Sequence, residues 1–464
     1  MTARSTLKVS KFNHVFPVDS QSTLIFNAVT GAFLLLDADA WRLYEHIATR
    51  KPLDKTYSSM LDDLEILKFK GMVLENDVNE YTYIAFRHRM VQYGTKSMNI
   101  ILAPTLNCNF KCSYCFEQKQ KKRMTPAVQQ KVIEFIEQRL PTTTSLKINW
   151  FGGEPLLEKK TIWKMSQTLI ALCKKYHCQY SAEIITNGYF MDKETSQNLK
   201  RYKVDSVQVT LDGPQYIHDK RRVLRNGNGT FEQILQNIVD AVDIIPQITV
   251  RVNIDKENAA SVPALLDTLA QRGLKNKILV YFGLVQSDTP ACQDISEQTY
   301  SVHDFLPLEV SLFRTMVQQG FTLGKKPRPA IGGCSATHIN SFIIGPSGDV
   351  YKCIKTLGTE SEKVGTVFTP LLVNQNQLKW FAWDPLSFQL CHTCTFFPVC
   401  MGGCPYETLR KNLKAPAACS EWKNNMEDIL RLYYASYTQH QKERVNLKTP
   451  RNQPFPLRSQ KSKH

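Results

Sequence analysis

The amino-acid sequence predicts an α/β protein built around a partial (β/α)6 barrel, with an α+β winged-helix domain before it and a cysteine-rich domain after it. The barrel is predicted because strand-like and helix-like segments alternate six times after Met98. The first 90 residues contain no cysteine and follow a different order of elements. Seven of the 13 cysteines are concentrated between Cys334 and Cys419. A chain of 464 residues is also too long to fold around one hydrophobic core.

Residues 1–90 are expected to form the winged-helix domain. Apolar runs between turn residues predict short strands, and acidic residues predict two helices, one capped by Asp37 or Asp39 and one capped by Asp54. Two later segments are expected to form the wing. The predicted strands, helices and wing segments are, in chain order, Phe12–Pro17, Thr23–Phe26, Ala32–Leu36, Ala40–Ala48, 54–68, Met72–Glu75 and Tyr81–Phe86.

Residues 95–290 carry the six β–α units. Parallel strands need a crossover between them, and the helices supply it, so the strands are expected to lie parallel. Periodicity leaves open whether the sheet closes. The strands are predicted at Asn99–Ala103, Ser145–Phe151, Ala182–Thr186, Ser206–Leu211, Gln247–Asn253 and Lys277–Phe282, with helices starting near Thr125, Lys160, Asp192, Thr230 and Ala260.

The remainder divides into a bridge at residues 291–330, a cysteine-rich domain at 331–438 and a tail at 439–464. The tail is basic and contains three prolines, so we expect it to be disordered. The bridge should hold one helix, and the cysteine-rich domain should hold one hairpin and a closing helix. These are predicted, in chain order, at Val302–Gln319, Asn340–Ile344 with Val350–Cys353, and Ser420–Ser436.

The composition is that of an ordinary globular protein, with 42% hydrophobic and 22% charged residues and a mean hydropathy of −0.30. No apolar run approaches the roughly 20 residues that span a bilayer, and the N-terminus lacks the apolar stretch of a signal peptide. We therefore expect a cytoplasmic protein that does not enter a membrane. The net charge of +16 favours an anionic partner, unless the excess in Lys119–Arg123 and in 441–464 is merely solvated.

Cys108, Cys112 and Cys115 follow the first predicted barrel strand with Cys-x3-Cys-x2-Cys spacing. Three thiolates in one loop can bind three irons of a cubane iron–sulfur cluster and leave the fourth iron open to a small molecule. Zinc is the alternative, but structural zinc sites use four ligands, usually as two spaced pairs. The nearest other candidates are distant in the chain, at His88 and Cys173.

Glycine-rich or polar motifs stand where three later strands end. They are Phe151-Gly-Gly-Glu-Pro155, Thr186-Asn-Gly188 and Thr210-Leu-Asp-Gly213, the last followed by His218 and Arg222. Active sites of α/β barrels form at the carboxyl ends of the strands, so these motifs should meet the cysteine loop. The paired glycines are expected to let backbone approach a ligand. Each motif alone is weak, and their order in successive β–α units makes the combination specific.

The cysteine loop and the strand-end motifs together resemble the radical S-adenosylmethionine (SAM) superfamily. The resemblance implies that SAM binds the open iron and is cleaved to a 5′-deoxyadenosyl radical, which abstracts a hydrogen atom from the substrate. It places Tyr114 near the adenine, assigns the GGEP element to the SAM amino group, and lets Arg222 meet the SAM carboxylate unless it forms a surface salt bridge. The SAM contacts so implied are Tyr114, Gly152, Gly153, Glu154, Asn187, Asp212 and Arg222.

The seven C-terminal cysteines resemble the SPASM domain, a radical SAM extension with two auxiliary iron–sulfur clusters. The resemblance assigns Cys334, Cys353 and Cys404 to an inner cluster. It assigns an outer cluster to Cys391, Cys394, Cys400 and Cys419. With the cluster at Cys108, Cys112 and Cys115, this implies three [4Fe-4S] clusters and SAM as cofactors.

Two departures from the sulfatase-maturase branch concern the inner cluster. That branch has a fourth inner cysteine at the position of Arg328. The inner cluster here therefore either has an open iron or takes Cys292 as its fourth ligand. We favour the open iron. The branch also has an Asp base at the position of Ile354, which counts against formylglycine formation. Cys173 and Cys178 are expected to be ordinary free thiols.

The winged helix suits DNA binding, capture of an extended peptide at a sheet edge, or a structural cap. Asp62, Asp63 and Glu65 in the second helix disfavour contact with phosphates. The segments Leu24–Gly31 and Lys70–Val73 make the domain similar to the PqqD-type peptide chaperone of pyrroloquinoline quinone synthesis. Peptide capture is therefore preferred, without nucleic acid as a partner.

The sequence thus predicts a radical SAM enzyme that modifies a ribosomally made precursor peptide by a thioether or carbon–carbon crosslink or a related oxidation. The N-terminal domain would bind the leader segment, and a flavodoxin or ferredoxin would supply electrons. Two alternatives stay open. One is another SPASM-type protein-residue oxidase, such as a sulfatase-maturase-like enzyme, and the other is a zinc-binding transcription regulator.

Overall fold

The structure of the protein is a computed structural model that describes residues 7–117, 120–369, 373–416 and 419–445. The N-terminal domain contains an antiparallel sheet in the order β2-β3-β4, a separate β1–β5 pair and three helices. The strands are β1 Leu7–Val9, β2 Asn13–Pro17, β3 Ser22–Asn27, β4 Phe33–Asp37 and β5 Val73–Glu75, and the helices are α1 Ala38–Ala48, α2 Leu61–Phe69 and α3 Glu80–Gln92.

The four N-terminal strands predicted between Phe12 and Glu75 and the start of α1 are confirmed, whereas the second helix, expected from residue 54, begins only at Leu61. Asp37 caps α1 by accepting a hydrogen bond from the Ala40 amide, and Asp54 caps a 3-10 turn that leads into α2. The wing strand expected at Tyr81–Phe86 is wrong, because this segment lies inside α3. Its buried side chains recur at Ile84, His88 and Gln92, a spacing of four residues that fits one face of a helix.

The centre of the molecule is a sheet in which the six predicted strands all lie parallel, in the order β11-β10-β9-β8-β7-β6. Helices of each unit cover it, and a short helix, α7, was not foreseen. The strands are β6 Ser97–Leu102, β7 Ser145–Trp150, β8 Gln179–Thr186, β9 Val204–Thr210, β10 Gln247–Ile254 and β11 Ile278–Leu284. The helices are α4 Pro126–Glu137, α5 Lys159–Lys175, α6 Lys193–Arg201, α7 Gln215–Arg221, α8 Phe231–Ala241 and α9 Val262–Gln271.

The sheet does not close on itself. On the far side of β6 it continues into the C-terminal region, where β12 pairs parallel with β6 in the register Ser341–Asn99 to Ile344–Leu102. A hairpin partner and a short third strand complete a nine-stranded sheet. These strands are β12 Ser341–Ile344, β13 Asp349–Tyr351 and β14 Gly365–Thr366. The C-terminal hairpin is therefore part of the central sheet.

The bridge helix, α10, spans Val302–Gln318 as predicted and packs against the last helix. That last helix runs to Val445, nine residues beyond the predicted end at Ser436, so the first part of the expected tail is helical. Residues 446–464 lie outside the described residues. The helices of the cysteine-rich domain are α11 Gln375–Phe381, α12 Gln389–His392, α13 Phe397–Cys400, α14 Pro405–Arg410 and α15 Trp422–Val445.

The N-terminal domain is packed onto the cysteine-rich domain. Phe12 and Phe26 of the first share a hydrophobic core with Trp383 and Phe397 of the second. Gly31, in the β3–β4 turn, has φ +72°, and a Cβ atom there would lie 2.7 Å from Pro329 Cδ, so the turn lies directly against the bridge. Among the described residues, no helix combines the length and the apolar character needed to cross a membrane.

Candidate active site

A cavity of about 350 Å³ lies where β6–β11 end at their carboxyl edge. It brings together the cysteine loop and residues of all three strand-end motifs, in agreement with the expectation that these segments meet. Of the ten residues predicted to bind the first cluster or SAM, eight line it: Cys108, Cys112, Cys115, Tyr114, Gly152, Gly153, Asn187 and Arg222. Glu154 and Asp212 are both fully buried and do not line it.

The cysteine loop is held by backbone contacts on both sides. Phe110 is buried and forms a bridge with Leu224, and the Lys111 amide donates to the Val223 carbonyl at 2.8 Å. Cys108, Cys112 and Cys115 form no disulfide bond and line the cavity. The anchoring fixes the loop and leaves its thiols exposed to a ligand.

The donors in the cavity fit an iron–sulfur cluster. Within the described ranges, no three His, Cys, Asp or Glu side chains are arranged to hold a single metal ion. A cubane cluster does not need that convergence, because each thiolate binds a different iron. Three thiols in one loop, with space beside them, fit a cluster whose fourth iron is open.

Gly152 and Gly153 allow the cysteine loop to pass against the end of β7. A Cβ atom on Gly152, at φ +104°, would lie 2.3 Å from the Thr105 carbonyl oxygen. On Gly153 it would lie 2.3 Å from the Asn107 carbonyl oxygen. The expected close approach of backbone is present, but the chain's own cysteine loop is what approaches these glycines.

Glu154 joins two strand ends. One carboxylate oxygen accepts from Thr186 Oγ1 at 2.7 Å and from the Leu156 amide at 2.9 Å, and the other accepts from the Asn187 amide at 2.7 Å. Burial raises the pKa of Glu154, and the three hydrogen bonds oppose that shift. Its carboxylate thus positions the Thr186-Asn-Gly188 turn.

Tyr114 reaches into a buried polar network below the cavity. Its hydroxyl group bonds to a carboxylate oxygen of Asp212 and accepts from Arg222 at 2.8 Å and from Asn253 Nδ2 at 3.2 Å. Burial raises the pKa of Tyr114 well above its ordinary value, so the phenol stays protonated. The network fixes the aromatic wall of the cavity.

Asp212 is the carboxylate at the centre of this network. Its Oδ1 atom accepts from the Asn253 amide at 3.0 Å, and Arg221 Nε lies 3.6 Å from Oδ2, the oxygen that bonds to Tyr114. The Asp212 amide donates to His218 Nδ1 at 3.2 Å, and burial lowers the pKa of that histidine, which is therefore neutral. Asp212 orients residues of the cavity wall from below.

Arg222 has the surroundings of an anion-binding side chain. It is 8% exposed and forms no ion pair with the described residues, so the alternative of a surface salt bridge is wrong. Its Nε atom is buried without a hydrogen-bond partner in the described structure. A buried guanidinium with an unused donor beside three thiols suits a carboxylate-bearing ligand.

Sequence reasoning missed polar residues inside the barrel. Arg251 and Asn253 alternate on β10 and line the cavity, with Arg251 Nε donating to Asn253 Oδ1 at 2.7 Å. Asp288 and Lys355 line it farther on and form an ion pair. Polar residues at alternate positions of a buried parallel strand were the available signal for the first pair. The second pair joins distant segments and has no local signal.

The C-terminal cysteines have two kinds of neighbours. Cys353 lies near Cys334 and Cys404, and burial together with these thiols raises the pKa of Cys353 to about 12. We call these three the inner cysteines. Burial and the neighbouring Cys400, Cys394 and Cys419 raise the pKa of Cys391 to about 11. These four are the outer cysteines.

Cys292 and Ile354 were both singled out in connection with the inner cluster. Cys292 is 2% exposed and packs with Val285 and Ile295. Its sulfur lies 3.2 Å from Thr289 Oγ1 and 3.3 Å from the Gln286 carbonyl oxygen. Ile354, directly after Cys353, lines the cavity.

The other two cysteines are buried and adjacent. Cys173 and Cys178 lie at the end of α5 and the start of β8, and burial raises the pKa of Cys173 to about 12. Their environment is that of unreactive thiols.

Comparison with known proteins agrees with this arrangement. Residues 102–269 match the radical SAM superfamily. The chain is 24% identical over 260 residues to the radical SAM cyclopropyl synthase TigE of Paramaledivibacter caminithermalis, covering 50% of this chain and 54% of TigE. It thus spans about half the length of that relative.

A second relative aligns over more of its length. The chain is 24% identical over 348 residues to the cysteine-type anaerobic sulfatase-maturating enzyme of Clostridium novyi, covering 67% of this chain and 88% of that enzyme. The structure of Streptococcus suis SuiB bound to the precursor peptide SuiA gives a TM-score of 0.51 at 15% identity, covering 89% of this chain and 98% of SuiB. That likeness shows the fold.

Gly152→Ala should disturb the cysteine loop, because the new Cβ atom would clash with the Thr105 carbonyl oxygen. We expect it to reduce the iron bound after anaerobic reconstitution and to lower SAM affinity about tenfold, or about 1.4 kcal/mol. Gly227→Ala is the matched control, since Gly227 has φ +89° and no heavy atom within 4 Å of the added Cβ. An equal loss of iron in the two variants would show that backbone strain, and not contact with the cysteine loop, causes the loss.

Tyr114→Phe should keep the aromatic wall but remove the hydroxyl group that bonds to Asp212 and Arg222. Because hydrogen bonds to charged groups contribute about 1.5–3 kcal/mol, we expect the SAM dissociation constant to rise at least about tenfold. Equilibrium dialysis of the reconstituted protein measures this. Tyr216→Phe, at a side chain that is 62% exposed, should leave SAM affinity unchanged. Unchanged affinity in Tyr114→Phe would exclude this positioning role.

Proposed function

Because residues 102–269 form a radical SAM domain, we propose that this enzyme cleaves SAM reductively and uses the radical to modify a ribosomally made precursor peptide. The observation that carries the first half is the cavity, where three cysteines from one loop lie together with the strand-end motifs. Cys108, Cys112 and Cys115 would hold the cluster, which supplies the electron that converts SAM to a 5′-deoxyadenosyl radical. Homology to peptide- and protein-modifying enzymes supports the second half.

The chain's own residues would orient SAM and exclude water from it. The guanidinium of Arg222 would neutralise the carboxylate of SAM, and its buried position makes that pairing stronger than a surface contact. Asn187 is held by Glu154 and by its own bond to Asn109 Oδ1 at 2.8 Å, so its amide is fixed before any ligand enters. Tyr114 and Phe116 line the same cavity and would cover the ligand with apolar surface.

The inner and outer cysteines would hold two auxiliary [4Fe-4S] clusters. Four outer thiols complete a cluster without an open iron, which suits electron transfer to a flavodoxin- or ferredoxin-type donor or acceptor. The inner cysteines number three, so that cluster would keep an open iron. The contacts of Cys292 with Thr289 and Gln286 occupy its thiol and support this over ligation by Cys292.

The N-terminal domain supports a peptide substrate. Strand β4 is an edge strand, since within the described residues it pairs with β3 alone. Beside it lies a groove of about 490 Å³, lined by Phe33, Leu35, Phe69, Lys70, Lys326, Tyr433 and Tyr437. An extended peptide can add a strand to such an edge and place apolar side chains in the groove. We call this region the edge groove.

The charge at the edge groove favours an acidic peptide. Lys326 lies over the Tyr433 ring, 5.3 Å from its centre, and forms no ion pair with the described residues. The neighbouring Arg328 adds a second positive charge. Together with the net charge of +16, this favours a leader segment that carries acidic residues among apolar ones.

The product would be a thioether or carbon–carbon crosslink or a related oxidation at an unactivated carbon. Ile354 places an apolar side chain in the cavity wall beside the inner cysteines, so that position offers no base. This favours peptide crosslinking over formylglycine formation of the sulfatase-maturase type.

The proposal is tested by reconstituting the protein anaerobically and co-expressing it with the short peptides encoded beside its gene. We expect SAM cleavage to 5′-deoxyadenosine and a peptide whose mass falls by two hydrogen atoms per event. The triple variant Cys108→Ala, Cys112→Ala, Cys115→Ala should abolish both. Intact SAM cleavage with no change in any neighbouring peptide would contradict the peptide half, and zinc without iron–sulfur absorbance would contradict the enzyme.

Replacement of residues in the edge groove should weaken leader binding without affecting SAM cleavage in the absence of peptide. Tyr433→Ala removes aromatic surface and Lys326→Glu reverses a charge, and we expect each to raise the dissociation constant of the leader about tenfold or more. Fluorescence anisotropy with labelled leader measures the change. Tyr216→Ala and Lys164→Glu, on exposed barrel helices, are the controls. Equal effects of the control variants would rule out the edge groove.

A further inference from the structure

We infer that the loop that carries the outer cysteines also anchors the N-terminal domain. Iron binding by the outer cysteines and the ordering of β2 and β3 then stabilise each other. The loop thus holds the N-terminal domain in place in addition to supporting electron transfer. It concerns contacts within this chain and does not depend on the identity of any peptide.

The first observation is a shared hydrophobic core. Phe12 and Phe26 of the N-terminal domain are each 1% exposed and belong to one buried cluster with Phe397 and Cys391. A cysteine ligand of the outer cluster is therefore packed among side chains of the N-terminal domain. Burying such phenylalanines stabilises both segments only when they are folded together.

The second observation is that the N-terminal domain bonds to the backbone of the Cys391-x2-Cys394 turn. His14 Nε2 donates to the Thr395 carbonyl at 3.2 Å, and the His14 ring lies 4.6 Å from that of Phe396. Lys11 Nζ donates to the His392 carbonyl at 3.4 Å. The residues directly after both cysteines are thus held from β2 and the turn before it.

Helix α3 makes a third set of contacts with the same loop. The Tyr81 hydroxyl group donates to the Leu386 carbonyl at 2.9 Å. The Tyr81 ring lies 5.1 Å from that of His392 and 5.8 Å from that of Phe397. Strand β2 and helix α3 therefore both form hydrogen bonds and ring contacts with the loop.

These contacts imply thermodynamic linkage. A metal-binding loop is ordered by its metal, so the free energy of cluster binding includes the cost of ordering the loop. Contacts from the N-terminal domain lower that cost, because they hold the turn in its folded geometry. Linkage is reciprocal, so the bound cluster must stabilise the N-terminal domain by the same amount.

The inner cysteines provide a control for β2 and β3 only, because the residues flanking Cys334 bond to α3 of the N-terminal domain, as in the contact of His88 Nδ1 with the Ile331 carbonyl at 2.8 Å. Cys353 lies beside β13 and packs against the core of the barrel, away from the cluster shared with Phe12. Loss of the inner cluster should therefore leave β2 and β3 ordered. A role confined to electron transfer predicts no difference between the two clusters in this respect.

The forward test is hydrogen exchange of the backbone amides in Asn13–Asn27, in reconstituted full-length protein. Cys394→Ser should remove the outer cluster and speed exchange in this segment at least about fivefold, the lower range of measured coupling between sites. Cys353→Ser should lose about as much iron but leave exchange there within about twofold of the parent. Equal exchange rates in the two variants would overturn the proposal.

The reverse test is the rate at which a chelator removes iron. His14→Ala should release about four irons per chain at least about fivefold faster than the parent. His46→Ala is the matched control, because His46 makes the same kinds of contact inside the N-terminal domain: 3.2 Å to the Pro52 carbonyl oxygen and 4.5 Å to the Tyr57 ring. Tyr81→Phe, which removes one hydrogen bond and keeps the ring, is a milder second variant. Iron release at the parental rate in both His14→Ala and Tyr81→Phe would overturn the linkage.

Discussion

The carboxylate of Glu154, which follows β7, is fully buried and accepts hydrogen bonds from Thr186 and Asn187 at the end of β8, which constrains the whole cavity. A buried charge costs several kcal/mol unless it is compensated, and three hydrogen bonds of about 1.5–3 kcal/mol each offset that cost. This balance holds only while β7 and β8 end side by side. The carboxylate therefore fixes Asn187, and the glycines before it allow the cysteine loop to lie against the same turn.

A second constraint brings the inner cysteines to the same cavity. Strand β12 adds to the central sheet beside β6, the strand that leads into the cysteine loop. Its partner β13 ends two residues before Cys353, and the next residues, Ile354 and Lys355, form part of the cavity wall. Lys355 pairs with Asp288 from the loop after β11, which ties the cysteine-rich domain to the opposite edge of the barrel. The central sheet thus fixes the position of the inner cysteines relative to the cysteine loop that follows β6.

Much of the fold was predictable because its signals are local. Caps such as Asp37, Thr125 and Asp192 and the six repeats of strand and helix depend on neighbours in the chain. The pairing of β12 with β6 joins residues more than two hundred positions apart, and a four-residue strand with three apolar residues carries no information about its partner. The error at Tyr81–Phe86 has a similar cause, since a short apolar segment fits either a strand or a helix until its buried face is known.

The candidate site, like the fold, was predictable only where its signals are local in the sequence. Cysteine spacing predicted that Cys108, Cys112 and Cys115 lie at one cavity, because residues of one short loop stay together. The roles of Glu154 and Asp212 were not readable, since the motif that contains a carboxylate does not show whether it faces a ligand or its own backbone. Only the hydrogen-bond partners decide this, and both carboxylates turn inward.

The attachment of the N-terminal domain bears on how a peptide would reach the cavity. His88 Nδ1 donates to the Ile331 carbonyl at 2.8 Å, and the Ile339 amide donates to the Gln92 carbonyl at 2.9 Å, so α3 is fixed to the cysteine-rich domain along its length. The edge groove therefore keeps one position relative to the cavity. A peptide held in that groove gains a high effective concentration at the cavity only if its intervening segment spans this fixed distance. If the proposed function holds, the spacing within the peptide, as well as its side chains, would determine which residue is modified.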